Sequence, residues 1–250
     1  MLPRFHAPGA APGVTIVDLP ADQARHLTRV LRLGVGADVA VFDGAGREFA
    51  ARVEQVSRRG VSVRLVEPRT PAPEPAIPLT LVQAVLKGEH MDRVVRDAVM
   101  MGVAAIQPVA TAHGQVRLSA LERGGGIERW RRIAVASAKQ CGRAVVPPVH
   151  PARTFGDVVS DAPADGAMRI LLVEPAAAWP GTREAWRLGH QPAPPSAVVG
   201  VGPEGGWAPS EVESAVAHGW LPVALGRRTL RADAVPVAAI AALQVCWKDL

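Results

Sequence analysis

Apolar and polar residues alternate along parts of the first quarter of the chain, as they do in half-buried β-strands. In residues 60–66 every second side chain is apolar, so these side chains would share one face of a sheet. Three further strands are predicted, in residues 14–19, 39–42 and 48–56. A single helix is predicted over residues 20–33, where apolar residues recur at helical spacing. Several short strands in so short a segment predict a small β-barrel.

After residue 78 the pattern changes to alternating strands and helices. Residues 79–86 form a nearly continuous apolar run, which is typical of a strand covered on both faces. Further strands are predicted at residues 105–109, 169–173, 197–201 and 223–225. Helices are predicted over residues 89–101, 127–143, 210–217 and 235–247. This alternation predicts an α/β fold with a mostly parallel sheet wrapped by helices.

The two patterns are separated by residues 68–78, which contain five prolines. Proline lacks a backbone N–H and fits neither a helix interior nor a central strand, so this stretch predicts a stiff, extended linker. We therefore predict a β domain over residues 1–67 and an α/β domain over residues 79–250.

The composition indicates a polyanionic binding partner and a reducing cellular compartment for this protein. The net charge is +5, and only three of the 28 basic residues are lysines. Arginine suits phosphate contacts, which fits RNA, although codon bias toward arginine accounts for much of the same count. Cys141 and Cys246 have neither disulfide nor zinc-ligand spacing. No apolar run is long enough for a signal peptide or a membrane span, which predicts a cytoplasmic protein.

The first candidate for chemistry is Val199–Glu211, where a buried strand leads into a Gly/Pro turn and then a helix. Gly202, Gly205 and Gly206 permit positive φ angles and let a ligand approach the backbone closely. Such a turn at the carboxyl end of a strand is where open α/β sheets bind ligands. Its spacing matches neither the dinucleotide fingerprint nor a P-loop. A tight strand-to-helix connection without a ligand is the alternative.

The second candidate is the loop of residues 225–236, which carries three arginines. Arg227, Arg228 and Arg231 are candidates to hold phosphate. Asp233 is a candidate to cap the following helix, and capping is the favoured interpretation of this residue alone. At the end of the basic helix, Gln140 and Arg143 are candidates to face a nucleic acid or a carboxylate, with a solvated helix face as the alternative. The seven histidines lack metal-ligand or triad-like grouping, so none is assigned as a ligand or a base.

Taken together and in order, these motifs resemble the RsmE family of 16S ribosomal RNA uridine-N3 methyltransferases, within the SPOUT superfamily. The resemblance covers nearly the whole chain. Its segments are Pro3–Phe5, His26–Arg32, Gln83–Gly88, Gly102–Pro108, Arg129–Trp130, Gln140, Arg143, Pro147–Pro148, Gly202–Gly206, Leu225–Arg231 and Ala238–Gln244.

The resemblance implies a PUA-like β-barrel followed by a SPOUT-type methyltransferase domain with a deep carboxyl-terminal trefoil knot. It implies a homodimer that uses S-adenosylmethionine, without a metal, to methylate N3 of one uridine in 16S rRNA of the small ribosomal subunit, uridine 1498 in the family. The implied cofactor-binding residues are Val173, Glu174, Gly200, Gly202, Pro203, Glu204, Gly205, Gly206, Leu225, Gly226 and Leu230.

The catalytic step requires removal of the N3 proton, because neutral uridine is a poor nucleophile, and stabilisation of the developing anion. The candidates for these roles are Arg231, Arg228, Arg143 and Asp233, the last as a base or as the residue that orients one. The implied RNA-binding residues are Arg4, His26, Arg29, Arg32, Lys87 and Gln140.

The chain departs from the family pattern at Met100, His113, Lys139 and the segment Ala232-Asp233-Ala234. At each of these positions the family usually has a different residue, and that residue is polar or charged. These departures keep two alternatives open. One is a ribosome-binding protein that retains the fold but has lost catalysis, and the other is a methyltransferase for a different RNA.

Overall fold

The computed structural model of the protein describes residues 2–162, 164, 166–177 and 179–249, without the side chains of residues 122, 123 and 186. The outer bounds of the two predicted domains, residues 1 and 250, lie outside this range. The chain divides into two compact units. The first runs to Glu74 and also includes Val135–Val146, and the second comprises Pro75–Ala134 and the chain from Pro147 onward.

The first unit is built on a five-stranded sheet, in agreement with the predicted β-rich segment. The elements are β1 (Arg4–His6), β2 (Ile16–Asp18), α1 (Ala21–Arg25), a π-helical turn (His26–Val30), β3 (Asp38–Phe42), β4 (Glu48–Ser57) and β5 (Gly60–Arg69). The strands pair in the order β1-β3-β4-β5-β2; β1 is parallel to β3 and the other pairs are antiparallel. Phe5, Leu27 and Val63 are fully buried in the core of this unit.

Two elements of this unit differ from the prediction. The helix expected over residues 20–33 is two short turns, the second of them π-helical. β5 continues to Arg69, three residues past its predicted end, and Pro68 pairs with Phe49 of β4. A proline is accommodated there because β2, on the other side of β5, pairs only with Ser62–Arg64.

Arg4 ties two parts of the first unit together through its buried guanidinium, which is 9% exposed. Its Nε and Nη2 donate to Oε2 of Glu48 at 3.1 and 2.6 Å. Nη1 and Nη2 also donate to four backbone carbonyls between Ala138 and Arg143. A buried charge that is paired and fully hydrogen-bonded in this way is tolerated, whereas an unpaired one is strongly destabilising.

Lys139 provides a test of this unit through the pH dependence of stability. Its ammonium lies 4.3 Å from the ring centroid of Phe5, and burial lowers its pKa from 10.5 to about 8. The unfolded state therefore binds more protons than the folded state between these two values, so stability should rise with pH across that window. We expect the wild-type protein to gain unfolding free energy relative to Lys139→Met between about pH 7 and about pH 9.5 in denaturant titrations. A constant difference would contradict this expectation.

The second unit contains a seven-stranded sheet in which every pair is parallel, as the alternating pattern predicts. The strands are β6 (Leu79–Ala84), β7 (Ala105–Ala110), β8 (Arg153–Thr154), β9 (Met168–Leu172), β10 (Arg183–Glu184), β11 (Ala197–Val201) and β12 (Leu221–Ala224). Their order across the sheet is β10-β12-β9-β11-β6-β7-β8. The helices are α2 (Glu89–Met100), α3 (Leu118–Arg123), α4 (Gly126–Cys141, whose residues from 135 onward belong to the first unit), α5 (Phe155–Ser160), α6 (Pro209–Ala217) and α7 (Val235–Cys246).

The order of the central strands determines where a site can form. β12, β9, β11 and β6 are consecutive neighbours and run in the same direction. Their carboxyl ends, at Leu172, Val201, Ala224 and Ala84, therefore lie at one edge of the sheet. The segments that follow these four strands are brought together there, as is usual for ligand sites in α/β folds. Within the described part of the chain, no helix is long and apolar enough to span a lipid bilayer.

Candidate active site

A cavity of about 540 Å³ opens at this edge of the sheet, within the size range of small-molecule sites. The segments that follow β9, β11 and β12 all contribute to its wall, together with the start of α2. The glycine-containing turn and the arginine-containing loop predicted from the sequence thus share one hollow. The residues from the turn are Gly202, Pro203, Glu204, Gly205 and Gly206, and those from the loop are Leu225, Arg228, Thr229, Leu230, Arg231, Ala232 and Asp233.

The glycine turn leaves part of the cavity wall free of side chains. Gly206 has a φ of 70°, and a Cβ there would lie 3.2 Å from Oε1 of Glu174. A Cβ on Gly202 would lie 3.2 Å from the indole of Trp207, whose Nε1 donates to the carbonyl of Leu172 at 2.8 Å. The positive φ of Gly206 and the tight Cβ positions at Gly202 and Gly206 therefore favour glycine in this turn, and its backbone is open to close approach by a ligand.

Two side chains outside the turn support its conformation. Nδ1 of His113 lies 3.2 Å from the carbonyl oxygen of Gly205. The carboxylate of Glu211 accepts from the N–H groups of Ala208 and Ala112, both at 2.9 Å, which satisfies the backbone before α6. His113, one of the departures from the family pattern, is thus in contact with the turn.

Asp233 is the centre of a second polar cluster in the cavity wall. Its Oδ2 lies 2.8 Å from Nδ1 of His90, and its Oδ1 accepts from Nε of Arg231 at 3.1 Å. Arg93 also approaches, with Nη1 at 3.7 Å from Oδ2. The hydrogen bond from His90, followed by that from Arg231, lowers the pKa of the Asp233 carboxyl.

The prediction that Asp233 caps a helix is wrong. The residue before α7 is Ala234, and no side chain caps that helix. Asp233 is one residue too early for the cap position, and its carboxylate is engaged by His90 and Arg231 instead.

The remaining wall combines apolar surface with charges of both signs. Glu174 and Glu204 contribute carboxylates, and Arg228 and Arg231 contribute guanidinium groups. Among the described residues, no cluster of three His, Cys, Asp or Glu side chains is suitable for a metal ion. The apolar part comprises Leu86, Leu172, Val173, Trp179, Val201, Leu225, Leu230 and Val235.

Comparison with known proteins places the chain in a family. Residues 73–244 match the family described as RNA methyltransferase domain, and residues 19–66 match the RNA methyltransferase PUA domain. A ribosomal RNA small subunit methyltransferase E from Synechocystis is 32% identical over 225 residues, which cover 90% of this chain and 71% of the relative. The chain belongs to the ribosomal RNA small subunit methyltransferase E family.

Solved structures of methyltransferases have the same fold. The methyltransferase E of Neisseria gonorrhoeae, bound to S-adenosyl methionine, matches with a TM-score of 0.86 and 32% identity, over 99% of this chain and 98% of that one. A methyltransferase from Legionella pneumophila in complex with the same cofactor matches with a TM-score of 0.87 and 28% identity, over 98% of both chains. The SPOUT-type α/β fold with a PUA domain is thereby confirmed.

Most of the cofactor residues implied by the methyltransferase E resemblance line the cavity, with two exceptions. Gly200 lies within β11, where a Cβ would be 3.0 Å from Leu171 and 3.2 Å from Trp220, so close packing accounts for a glycine at this position. Gly226 follows β12 but is not part of the cavity wall. Arg228, Arg231 and Asp233, three of the four catalytic candidates, do line it.

The fourth candidate, Arg143, lies in the first unit and is 4% exposed. Its Nε is 3.0 Å from each carboxylate oxygen of Glu74. Arg4, predicted to contact RNA, is buried by the interactions described above, so neither guanidinium presents much surface to a ligand. Arg29, Arg32, Lys87 and Gln140 are exposed, and His26 is half-buried at 6.1 Å from the ring of Phe5.

The cavity also contains residues that the sequence did not single out, of which His90 is the most polar. It follows β6 by six residues. Because β6 is the neighbour of β11, the start of α2 reaches the same edge as the glycine turn. The sequence feature that could have indicated a role for His90 is its position shortly after a buried strand. It is not grouped with other histidines in the sequence.

Proposed function

We propose that this protein transfers the methyl group of S-adenosylmethionine to N3 of one uridine in 16S rRNA of the small ribosomal subunit, at the family position. The observation that carries the proposal is the single cavity shared by the glycine turn and the arginine loop. One family member and a second methyltransferase have been solved with this cofactor bound, and both match nearly the whole chain.

The residues of the cavity fit the methyl donor. The glycine turn admits a close-lying ligand, and the apolar wall suits an adenine ring. Glu174 and Glu204 suit the hydroxyl and ammonium groups of the donor, and the arginines suit its carboxylate. When bound, the donor supplies an electrophilic methyl group on a positively charged sulfur, so the transfer needs no metal.

The arginine loop is suited to the RNA acceptor. Arg231 and Arg228 are exposed at the cavity, where they can hold phosphate or the anion that develops on the base. Arg143 is occupied by Glu74 and is not needed for this step. We also propose that the rRNA is contacted by His26 and by four exposed residues, Arg29, Arg32, Lys87 and Gln140.

The resemblance also supports proposals about organisation. We assign residues 1–67 to RNA binding, residues 68–78 to a linker whose first two residues complete β5, and residues 79–250 to a knotted methyltransferase domain, of which Val135–Val146 belong to the first unit. A homodimer is proposed because α7 is apolar along most of its length and Val245 is 65% exposed. A cytoplasmic location is proposed because ribosomal subunits are its substrate.

Gly206→Ala should weaken donor binding. At φ 70° a Cβ costs about 1–2 kcal/mol, and the turn would leave its present conformation. We expect the dissociation constant for S-adenosylmethionine to rise about tenfold, measured by calorimetric titration. The matched control is Gly219→Ala, which introduces the same strain at φ 82° at a glycine outside the cavity wall. Equal affinities for the two variants would argue against a role of the turn in binding.

The function itself is tested by mass spectrometry of 16S rRNA from cells that lack the gene. We expect N3-methyluridine at the family position to disappear in these cells and to return when the wild-type gene is restored. Persistence of the modification in the deleted strain would refute the proposal and favour a different RNA substrate or a loss of catalysis.

A further inference from the structure

His90 joins two of the segments that form the cavity. It is the second residue of α2 and follows Gly88, which has a φ of 61°. His90 is one of the residues that line the cavity, and its Nδ1 is 2.8 Å from Oδ2 of Asp233, a residue 143 positions away in the sequence. The side chain of His90 is 38% exposed and that of Asp233 is 14% exposed, so the pair lies where a substrate can reach the imidazole.

The contact with Asp233 determines which nitrogen of the imidazole is available. An ionised carboxylate only accepts hydrogen bonds, so Nδ1 of His90 must carry the hydrogen. In the neutral ring the lone pair is then on Nε2. The described residues offer Nε2 no hydrogen-bond partner. A carboxylate that fixes the tautomer and orientation of a histidine base is a recurrent catalytic arrangement.

Asp233 is poorly suited to accept the proton itself. Hydrogen bonds from His90 and Arg231 lower its pKa and occupy both of its oxygens. The other charged groups near the pair are Arg93 on α2 and, around the cavity, Arg228, Glu174 and Glu204. Asp233, at 2.8 Å from Nδ1, is placed to stabilise the imidazolium once the proton has been transferred.

We propose that Nε2 of His90 is the general base that takes the N3 proton of the target uridine, with Asp233 as its positioning residue. This proposal rests on the proposed function. The N3–H bond breaks and its proton moves to Nε2. The electron pair left on N3 forms the bond to the methyl carbon, whose bond to sulfur breaks with its electrons remaining on the sulfur. The imidazolium then releases its proton to solvent.

The test is single-turnover methylation of small ribosomal subunits at saturating donor, measured across pH for the wild type and His90→Ala. Wild-type turnover first establishes the activity, so a failure of the proposed function is recognised separately. We expect the variant to react about 10²–10⁴-fold more slowly, in line with the loss of a general base. The wild-type rate should reach a plateau as pH rises, whereas the variant should lack this plateau. Added imidazole should restore part of the variant's rate.

Two further variants complete the experiment. His218→Ala, which removes an exposed imidazole whose Nδ1 lies 2.8 Å from the carbonyl oxygen of Ser214, should react like the wild type. Asp233→Asn should react at least about tenfold more slowly, because its amide can donate to Nδ1 and favour the wrong tautomer. Donor titration checks that each variant is folded. A His90→Ala rate within about threefold of wild type, or a slow rate without imidazole rescue, would overturn the proposal.

Discussion

Replacing Arg231 by alanine should lower the rate of methyl transfer by about 10²–10³-fold, the effect of losing one donor that stabilises a developing anion. Its guanidinium lines the cavity and is 72% exposed, so most of its hydrogen-bonding capacity is free to face the substrate. The same substitution also removes two hydrogen bonds to Asp233. The high exposure means that the fold should survive, and single-turnover rates with small ribosomal subunits measure the effect.

Two control variants distinguish the effect of the position of Arg231 from the effect of its charge. Arg227→Ala removes an arginine from the same loop that is not part of the cavity wall, and its rate should stay close to that of the wild type. Arg231→Lys keeps the charge but loses the planar fork, so it should recover only part of the rate. Retained turnover by Arg231→Ala would exclude this residue from the site.

Replacing Arg4 by methionine should reduce the unfolding free energy by about 3–5 kcal/mol, as expected when one partner of a buried ion pair is removed. The change leaves Glu48 with a single partner, Arg69, whose Nε lies 3.2 Å away. It also removes the guanidinium donor from four backbone carbonyls in residues 138–143. Denaturant unfolding followed by linear extrapolation measures the loss.

The matched control is Arg52→Ala, which breaks an arginine–aspartate pair in the same sheet. Arg52 and Asp38 are 60% and 59% exposed, so this loss should be at most about 1 kcal/mol. Similar losses for Arg4→Met and Arg52→Ala would show that the buried network contributes little to stability.

The central strands of the second unit could be predicted because each is an apolar run long enough to be recognised. β11 is observed at its predicted bounds, and β9 is displaced by one residue. By contrast, β8 and β10 have two residues each, and their pairing depends on neighbours that are distant in sequence. α5 has six residues, which is too short for a helical pattern to emerge.

The cavity could be predicted in part because several glycines directly after a buried strand indicate a sharp turn whose backbone a ligand can approach. The partnership of His90 with Asp233 could not be predicted, because it depends on β6 lying beside β11, and strand order is not encoded in local patterns. The burial of Arg4 could not be predicted for the same reason, since its carbonyl acceptors lie more than 130 residues away in the sequence. Such long-range contacts decide whether a polar residue faces a ligand or supports the fold.

A crystal structure with S-adenosylmethionine bound would show most directly whether the two loops form the donor site. We expect the donor to occupy the cavity between residues 202–206 and 225–233, with its methyl group on the side of His90 and Asp233. A donor bound elsewhere, or a cavity that stays empty at saturating donor, would contradict this assignment.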